Sequence, residues 1–209
     1  MSHFLDSLSL TGKGVKIGVI DAGFGGIDSN DFTKNLKVQD YKDFVDNDTT
    51  DFFDDTEHDH GTVVTSSIGG KKGNYVHGLA FNAEFFLAKT EDVSSELSDE
   101  EKRLIDAVDW LISKHVDVIN ISIAYTKFDD VDYYTRKDLD GKTALSSKHI
   151  DSVLQANPEL IITVSAGNKG NKEWSNIMVP GDLRSQTGLD FTTVPNGYLR
   201  HCTQIDFFF

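Results

Sequence analysis

The sequence is short of cysteine, of positive charge and of long apolar runs, and each shortage excludes something. Its one cysteine, Cys202, can form no internal disulfide, and so few thiols leave the compartment open. No run approaches the length of a membrane span, so no membrane partner is expected. The first residues, "MSHFLDSLSLTGKG", lack a basic segment followed by an apolar one, and no export signal is read there. Only 20 Lys and Arg stand against 34 Asp and Glu, a formal net charge of −14. That balance opposes contact with a phosphate backbone, so no nucleic-acid partner is expected. No repeat stands out, and 209 residues suit one large domain, taken as 1–209.

What is present is an alternation of strand and helix patterns. "GVKIGVID" is a short β-branched run that ends in "AGFGG", which predicts a buried strand with Asp21 at its carboxyl end. An Asp-rich stretch follows without a sustained period, with one short strand expected near Leu36 to Tyr41. "GTVVTSSIGG" reads as a compact buried helix starting at His60 and capped by glycine. "AEFFLAKT" reads as a strand. "SDEEKRLIDAVDWLISKHV" predicts an amphipathic helix, with Ser98 as N-cap and Glu101 closing a capping box. "DVINISIAY" is a strand, "KTALSSKHIDSVLQAN" a helix and "ELIITVSAGN" a strand ended by a glycine turn. The expected fold is therefore α/β, a parallel sheet with helices on both faces. Chemistry in such sheets gathers at the carboxyl ends of strands, where Asp21, the segment from Ser122 to Tyr125 and Asn168 all fall. From about Gly181 the pattern degrades, and the last residues are Phe207, Phe208 and Phe209.

Asp21 alone is more readily a turn cap than a catalyst, and a lone His60 beside a helix start is more often structural. Together they say more. A carboxylate at a strand end can accept the Nδ1 proton of a histidine, which leaves Nε2 directed outward as a base. Asn168, in "SAGN", supplies an amide donor at the same rim. Carboxylate, imidazole and amide donor make three of the four parts of an acyl-transfer site. A rival reading is a metal-dependent hydrolase built on His58, Asp59 and His60 with the carboxylates of "DFFDD", although no third histidine follows at ligand spacing.

"VKIGVIDAGF", "DHGTVVTSS", "GLAFNAEFFLAKT", "VDVINISIAY" and "IITVSAGNKG" resemble, in order and spacing, the motifs of subtilisin-like serine proteases, the subtilases of peptidase family S8. The resemblance runs from about Leu10 to Pro180. Two segments, "GLAFNAEFFLAKTEDVSSE" and "YTRKDLDGKTALSS", further resemble a branch common in Bacteroidetes-like bacteria. It implies the three-layer subtilisin-like fold and hydrolysis of polypeptides with no required cofactor. By the same resemblance Asp21 orients the histidine, His60 is base and then acid, and Asn168 donates to the oxyanion. Ser122, Ile123 and Ala124 become an edge against which the substrate backbone lies, and Ala166 and Gly167 line the pocket for the side chain before the scissile bond. Family members are mostly exported, and many use structural calcium. The acidic run from Asp40 to Asp59 offers carboxylates for one, although a solvated acidic loop fits that run equally well.

The sequence also departs from the family. Ala22 stands where most members carry Ser or Thr, Ser122-Ile123-Ala124-Tyr125 replaces a Ser-Leu-Gly-Gly type of segment, and Phe81 takes a place that is usually proline. The largest departure is the nucleophile. The family serine lies in a Gly-Thr-Ser segment opening a helix, and none of the 209 residues forms one. Ser175 and Ser185 lie in the wrong context, and Cys202 in "RHCTQ" lacks the small-residue turn a substitute thiolate needs. The expectation is thus a partial, C-terminally incomplete peptidase domain that does not cleave by itself. The alternative is a pseudoprotease that binds peptide without cutting.

Overall fold

The computed structural model describes residues 10–54, 58–131, 134–169 and 175–183. Seven strands and three α-helices follow in chain order: β1 (Lys16–Asp21), β2 (Lys37–Asp43), α1 (His60–Gly69), β3 (Lys71–Lys72), β4 (Tyr75–Val76), β5 (Glu84–Lys89), α2 (Asp99–Ser113), β6 (Val118–Ile121), α3 (Leu145–Ala156) and β7 (Ile161–Val164). Five of the strands form one parallel sheet in the order β2-β5-β1-β6-β7, and β3 and β4 make a small antiparallel hairpin. The parallel sheet and its helix layers are those expected from the alternating patterns.

β1 lies at the centre because both of its faces are covered. Side chains alternate across a strand, so Ile17 and Val19 join one apolar cluster while Ile20 joins the other. Neighbouring β5 does the same: Phe85 and Leu87 face the first cluster, and Phe86 and Ala88 the second. α1 covers the first face with small residues and Val64. α2 and α3 cover the second with Leu104, Ala107, Val108 and Leu111, and with Ile150, Val153 and Leu154. Gly18 sets how near α2 can come, since a Cβ there would lie 2.6 Å from Leu111 Cδ1.

Three local expectations are corrected. Ser98 does not cap α2; its N–H and hydroxyl bond the Asp130 carboxylate at 2.9 and 2.7 Å. Glu101 closes no capping box either. Its Oε1 accepts from the Ser146 N–H (2.9 Å) and hydroxyl (2.7 Å), so it ties α2 to the start of α3. Gly70 ends α1 in an extended conformation rather than a left-handed one. Glycine is needed there because a Cβ would sit 2.4 Å from the Ser66 carbonyl oxygen. The two helical faces therefore depend on contacts distant in sequence.

Leu111 is fully buried between α2 and the central strand. Leu111→Ala is expected to lower stability by about 2–5 kcal/mol, and the exposed control Lys102→Ala to stay within about 0.5 kcal/mol, in urea unfolding followed by circular dichroism.

Candidate active site

Asp21 closes β1 and is completely buried. Its Oδ1 accepts from the Ala22 N–H at 2.8 Å and from His60 Nδ1 at 2.7 Å. The His60 side chain is 57% exposed against 0% for Asp21, so the ring bridges core and solvent. Because Nδ1 is committed to the carboxylate, Nε2 is the nitrogen left to exchange protons. Asp21 Oδ2 is buried with no hydrogen-bond partner among the described residues, and the methyl group of Ala22 offers no hydroxyl to it.

The sequence forces this meeting through glycines. The Gly61 N–H donates to the Gly23 carbonyl at 2.8 Å, and a Cβ on Gly61 would lie 2.5 Å from that oxygen and 2.9 Å from Asp21 Cβ. The close approach that Gly61 permits is thus by the β1 turn, which brings the first residue of α1 onto the end of β1. A Cβ on Gly23 would meet the His58 carbonyl at 2.4 Å, while the Thr62 hydroxyl donates to the Gly25 carbonyl at 2.9 Å. Burial pushes the Asp21 carboxyl above its ordinary range, against the opposing bonds from His60 and Ala22. The bond to Asp21 in turn raises His60 above an ordinary histidine.

The sheet register carries the rest of the rim. Ile20 pairs with Ile121, and Ile121 with Val164, and the ladder continues one step as the Ser122 N–H donates to Ile20 and the Ser165 N–H to Ile121. Asp21, Ser122 and Ser165 therefore end three adjacent strands, each about 4.8 Å from the next. Beside them opens a cavity of about 190 Å³ lined in part by Ser122, Ala124, Gly167 and Asn168. Gly167 adopts φ +80°, and a Cβ there would overlap Met178 Sδ at 2.2 Å. Only glycine lets the loop after β7 fold over that floor.

Neither the Ile123 side chain nor Ala166 lines that cavity. Ile123 is 8% exposed and belongs to the core under α2 and α3, so its side chain does not line the cavity. Ala166 is not in the cavity wall; its carbonyl accepts from the Met178 N–H at 3.0 Å. Other participants were not legible. Asn120 Nδ2 donates to Ser122 Oγ at 2.8 Å and its Oδ1 accepts from the Thr163 hydroxyl at 3.0 Å, so β6 and β7 together fix the serine. Lys169 reaches Thr126 Oγ1 at 2.6 Å, and both line the cavity.

The metal-hydrolase reading finds no support in the arrangement. Among the described residues no three His, Cys, Asp or Glu side chains gather to hold a metal, and His60 Nδ1 is already engaged by Asp21. The acidic loop does enclose a cavity of about 540 Å³, with Asp43, Asp46, Asp48, Asp51 and Asp54 in its wall. Yet Asp43 Oδ1 accepts from the Val45 and Asp46 N–H groups, and Lys89 Nζ lies 3.1 Å from Oδ2. Asp55, Ser185, Cys202 and Phe207 to Phe209 lie outside the described residues.

The sequence model of the subtilase family, peptidase S8, matches residues 12–193. The chain is a subtilase. Minor extracellular protease Epr of Bacillus subtilis is 29% identical over 164 residues, 78% of this chain and 21% of Epr. Subtilisin E of Bacillus subtilis is 29% identical over 168 residues, 80% of this chain and 38% of that protein. Among solved structures, the CspB protease of Clostridium perfringens superposes with a TM-score of 0.57 at 19% identity, covering 81% of this chain and 39% of that one. MycP1 with its N-terminal propeptide removed gives 0.56 at 22% identity, covering 80% and 48%. These neighbours share the subtilisin-like α/β fold. The chain spans less than half the length of each of these relatives.

Behind the rim this subtilase carries a buried acidic pair. Tyr125, which follows the edge segment, is fully buried and donates through its hydroxyl to Glu91 Oε1 at 2.9 Å. Its backbone pairs with Val179 through bonds of 2.7 and 3.1 Å. Glu91 and Glu100 lie near enough to repel each other, with Arg103 as the nearby countercharge. Burial, then repulsion from Glu91 and Glu96, pushes Glu100 up to about 8.

A carboxyl raised from its unfolded value near 4.5 to about 8 stays protonated in the folded state across that interval. Its stabilising contribution is complete below pH 4.5 and is lost as pH rises through about 8. The urea midpoint should therefore fall between pH 5.5 and 8.5, and Glu100→Gln should flatten the fall. In the histidine Cε1–H titration followed by NMR, Asp21→Asn should move the His60 midpoint downward, because the largest raising contact is gone.

Proposed function

We propose that this chain carries the base, the oxyanion donor and the peptide-binding rim of a subtilisin-like serine endopeptidase. The observation that carries this reading is the 2.7 Å bond between His60 Nδ1 and the fully buried Asp21 carboxylate. Such a pair makes Nε2 a base aimed away from the core. In the reaction, a serine oxygen bonds to the peptide carbonyl carbon while its proton passes to His60 Nε2. The Asn168 amide donates to the oxygen that gains charge. Breaking the C–N bond then takes the proton from His60 to the leaving amine. Water then gives a proton to the same nitrogen as its oxygen bonds to the acyl carbon, and the ester C–O bond breaks as His60 returns that proton to the serine oxygen. The extended segment at Ser122 to Ala124 offers backbone groups to the substrate main chain, and the adjacent cavity takes a side chain.

The 209 residues contain no Gly-Thr-Ser segment, so this chain by itself has no serine of that kind. In subtilisin, loss of the serine costs about as much as loss of the whole triad. The favoured state of this chain alone is therefore binding without cleavage, which is also what a pseudoprotease would do. A formed cavity beside the rim supports that second reading. A location outside the cytoplasm is inferred from the relative named as extracellular.

With a fluorogenic peptide, this chain should show background turnover only. Turnover that vanished in His60→Ala would overturn that expectation and reveal a nucleophile within these residues. Joined to a subtilase segment that supplies Gly-Thr-Ser, the chain should cleave. Asn168→Ala in that fusion should then lower kcat by about 10²–10³, the range measured for the corresponding donor of subtilisin. A folded fusion whose turnover is indifferent to Asp21, His60 and Asn168 would refute the assignment.

A further inference from the structure

The cavity beside the rim is unusually rich in donors. Ser122 Oγ accepts from Asn120 Nδ2 at 2.8 Å, Thr126 Oγ1 from Lys169 Nζ at 2.6 Å, and Ser165 Oγ from the Gly167 N–H at 3.0 Å. Ser122, Thr126 and Ser165 all line the cavity, and none of their hydroxyls donates to another described residue. An oxygen that already accepts has its hydrogen left to offer. Lys169 uses one of its three N–H donors on Thr126 and has two more. The lining also includes the Asn168 amide and one carboxylate, that of the exposed Glu96.

We propose that this cavity selects an acidic side chain, Asp or Glu, on the residue before the scissile bond, and that Lys169 sets the preference. The inference rests on the peptide-binding reading above. A lysine or arginine guest would meet Glu96 but also the Lys169 ammonium and three hydroxyl hydrogens. A carboxylate guest meets Glu96 at the solvent side and finds the ammonium and the hydroxyl donors around it. The Lys169 ammonium decides the sign, because each hydroxyl keeps a hydrogen and a second lone pair and can serve either guest. Met178 beneath Gly167 closes the floor, so the polar end of the guest is held among these groups rather than passing beyond them.

The test uses the full 209-residue chain and four N-terminally labelled hexapeptides with free C-termini, alike except for a last residue of Glu, Gln, Leu or Lys. Fluorescence anisotropy gives each Kd. The Glu peptide should bind about fivefold more tightly than the Lys peptide, the scale of one partly solvated charge pair. Lys169→Met should bring Glu level with Gln, and Lys169→Glu should reverse the order of Glu and Lys. Lys169 is exposed, so both variants should keep the wild-type circular dichroism spectrum. Equal binding of all four peptides, tighter binding of the Lys peptide, or an unchanged order in Lys169→Glu would overturn the acidic preference alone. No binding by any of them would overturn the peptide-binding reading, and this assignment with it.

Discussion

The molecule turns on one buried carboxylate. Asp21 ends the central strand with no exposure to solvent, and burying an ionised group is tolerable only when hydrogen bonds answer it. Here the answer comes from the Ala22 N–H and from a histidine thirty-nine residues away. That requirement explains the glycines around it. Gly23 and Gly61 strip away the side chains that would keep the β1 turn and the start of α1 apart, so the imidazole reaches the carboxylate from the first residue of a helix. The Asp21 Oδ2 stays buried with no hydrogen-bond partner among the described residues.

A parallel register then extends the effect of Asp21 sideways. Adjacent strands end in step, so Ser122 and Ser165 arrive at the same rim without any dedicated device. The loops after β6 and β7 diverge there, and the space between them is the cavity. Tyr125 fastens one wall twice, by its hydroxyl to Glu91 and by its backbone to Val179. The buried Glu100 lies behind that wall, where its backbone carbonyl also accepts from the Tyr125 hydroxyl at 3.4 Å. Stability and site geometry thus draw on the same buried groups.

Much of this was legible because it is local. The run that ends in Asp21, the histidine before "GTVV" and the "SAGN" turn announce strand ends and a helix start by composition alone. The period of α2 is equally plain from Leu104, Val108 and Leu111. What sequence reasoning missed lies in partners far apart in the chain. Ser98 and Glu101 have the spacing of a capping box, yet Asp130 and Ser146 compete for them and win. Ile123 keeps its backbone in the expected edge segment, while strand alternation turns its side chain into the core. The Thr163-Asn120-Ser122 chain joins two strands that share no sequence signal. Lys169 follows Asn168 immediately, and only the fold shows that its ammonium turns back to Thr126.

The chain belongs to the subtilase family and carries a subtilisin-like sheet, and its 209 residues contain no Gly-Thr-Ser segment. On this reading Asp21, His60 and the rim beside them are already formed without that serine. A crystal structure of the chain with a bound hexapeptide is the test. It should show His60 Nδ1 within hydrogen-bond distance of Asp21, peptide main chain paired along Ser122 to Ala124, and a terminal side chain in the cavity beside Lys169. A peptide bound elsewhere, or a His60 ring turned away from Asp21, would contradict it.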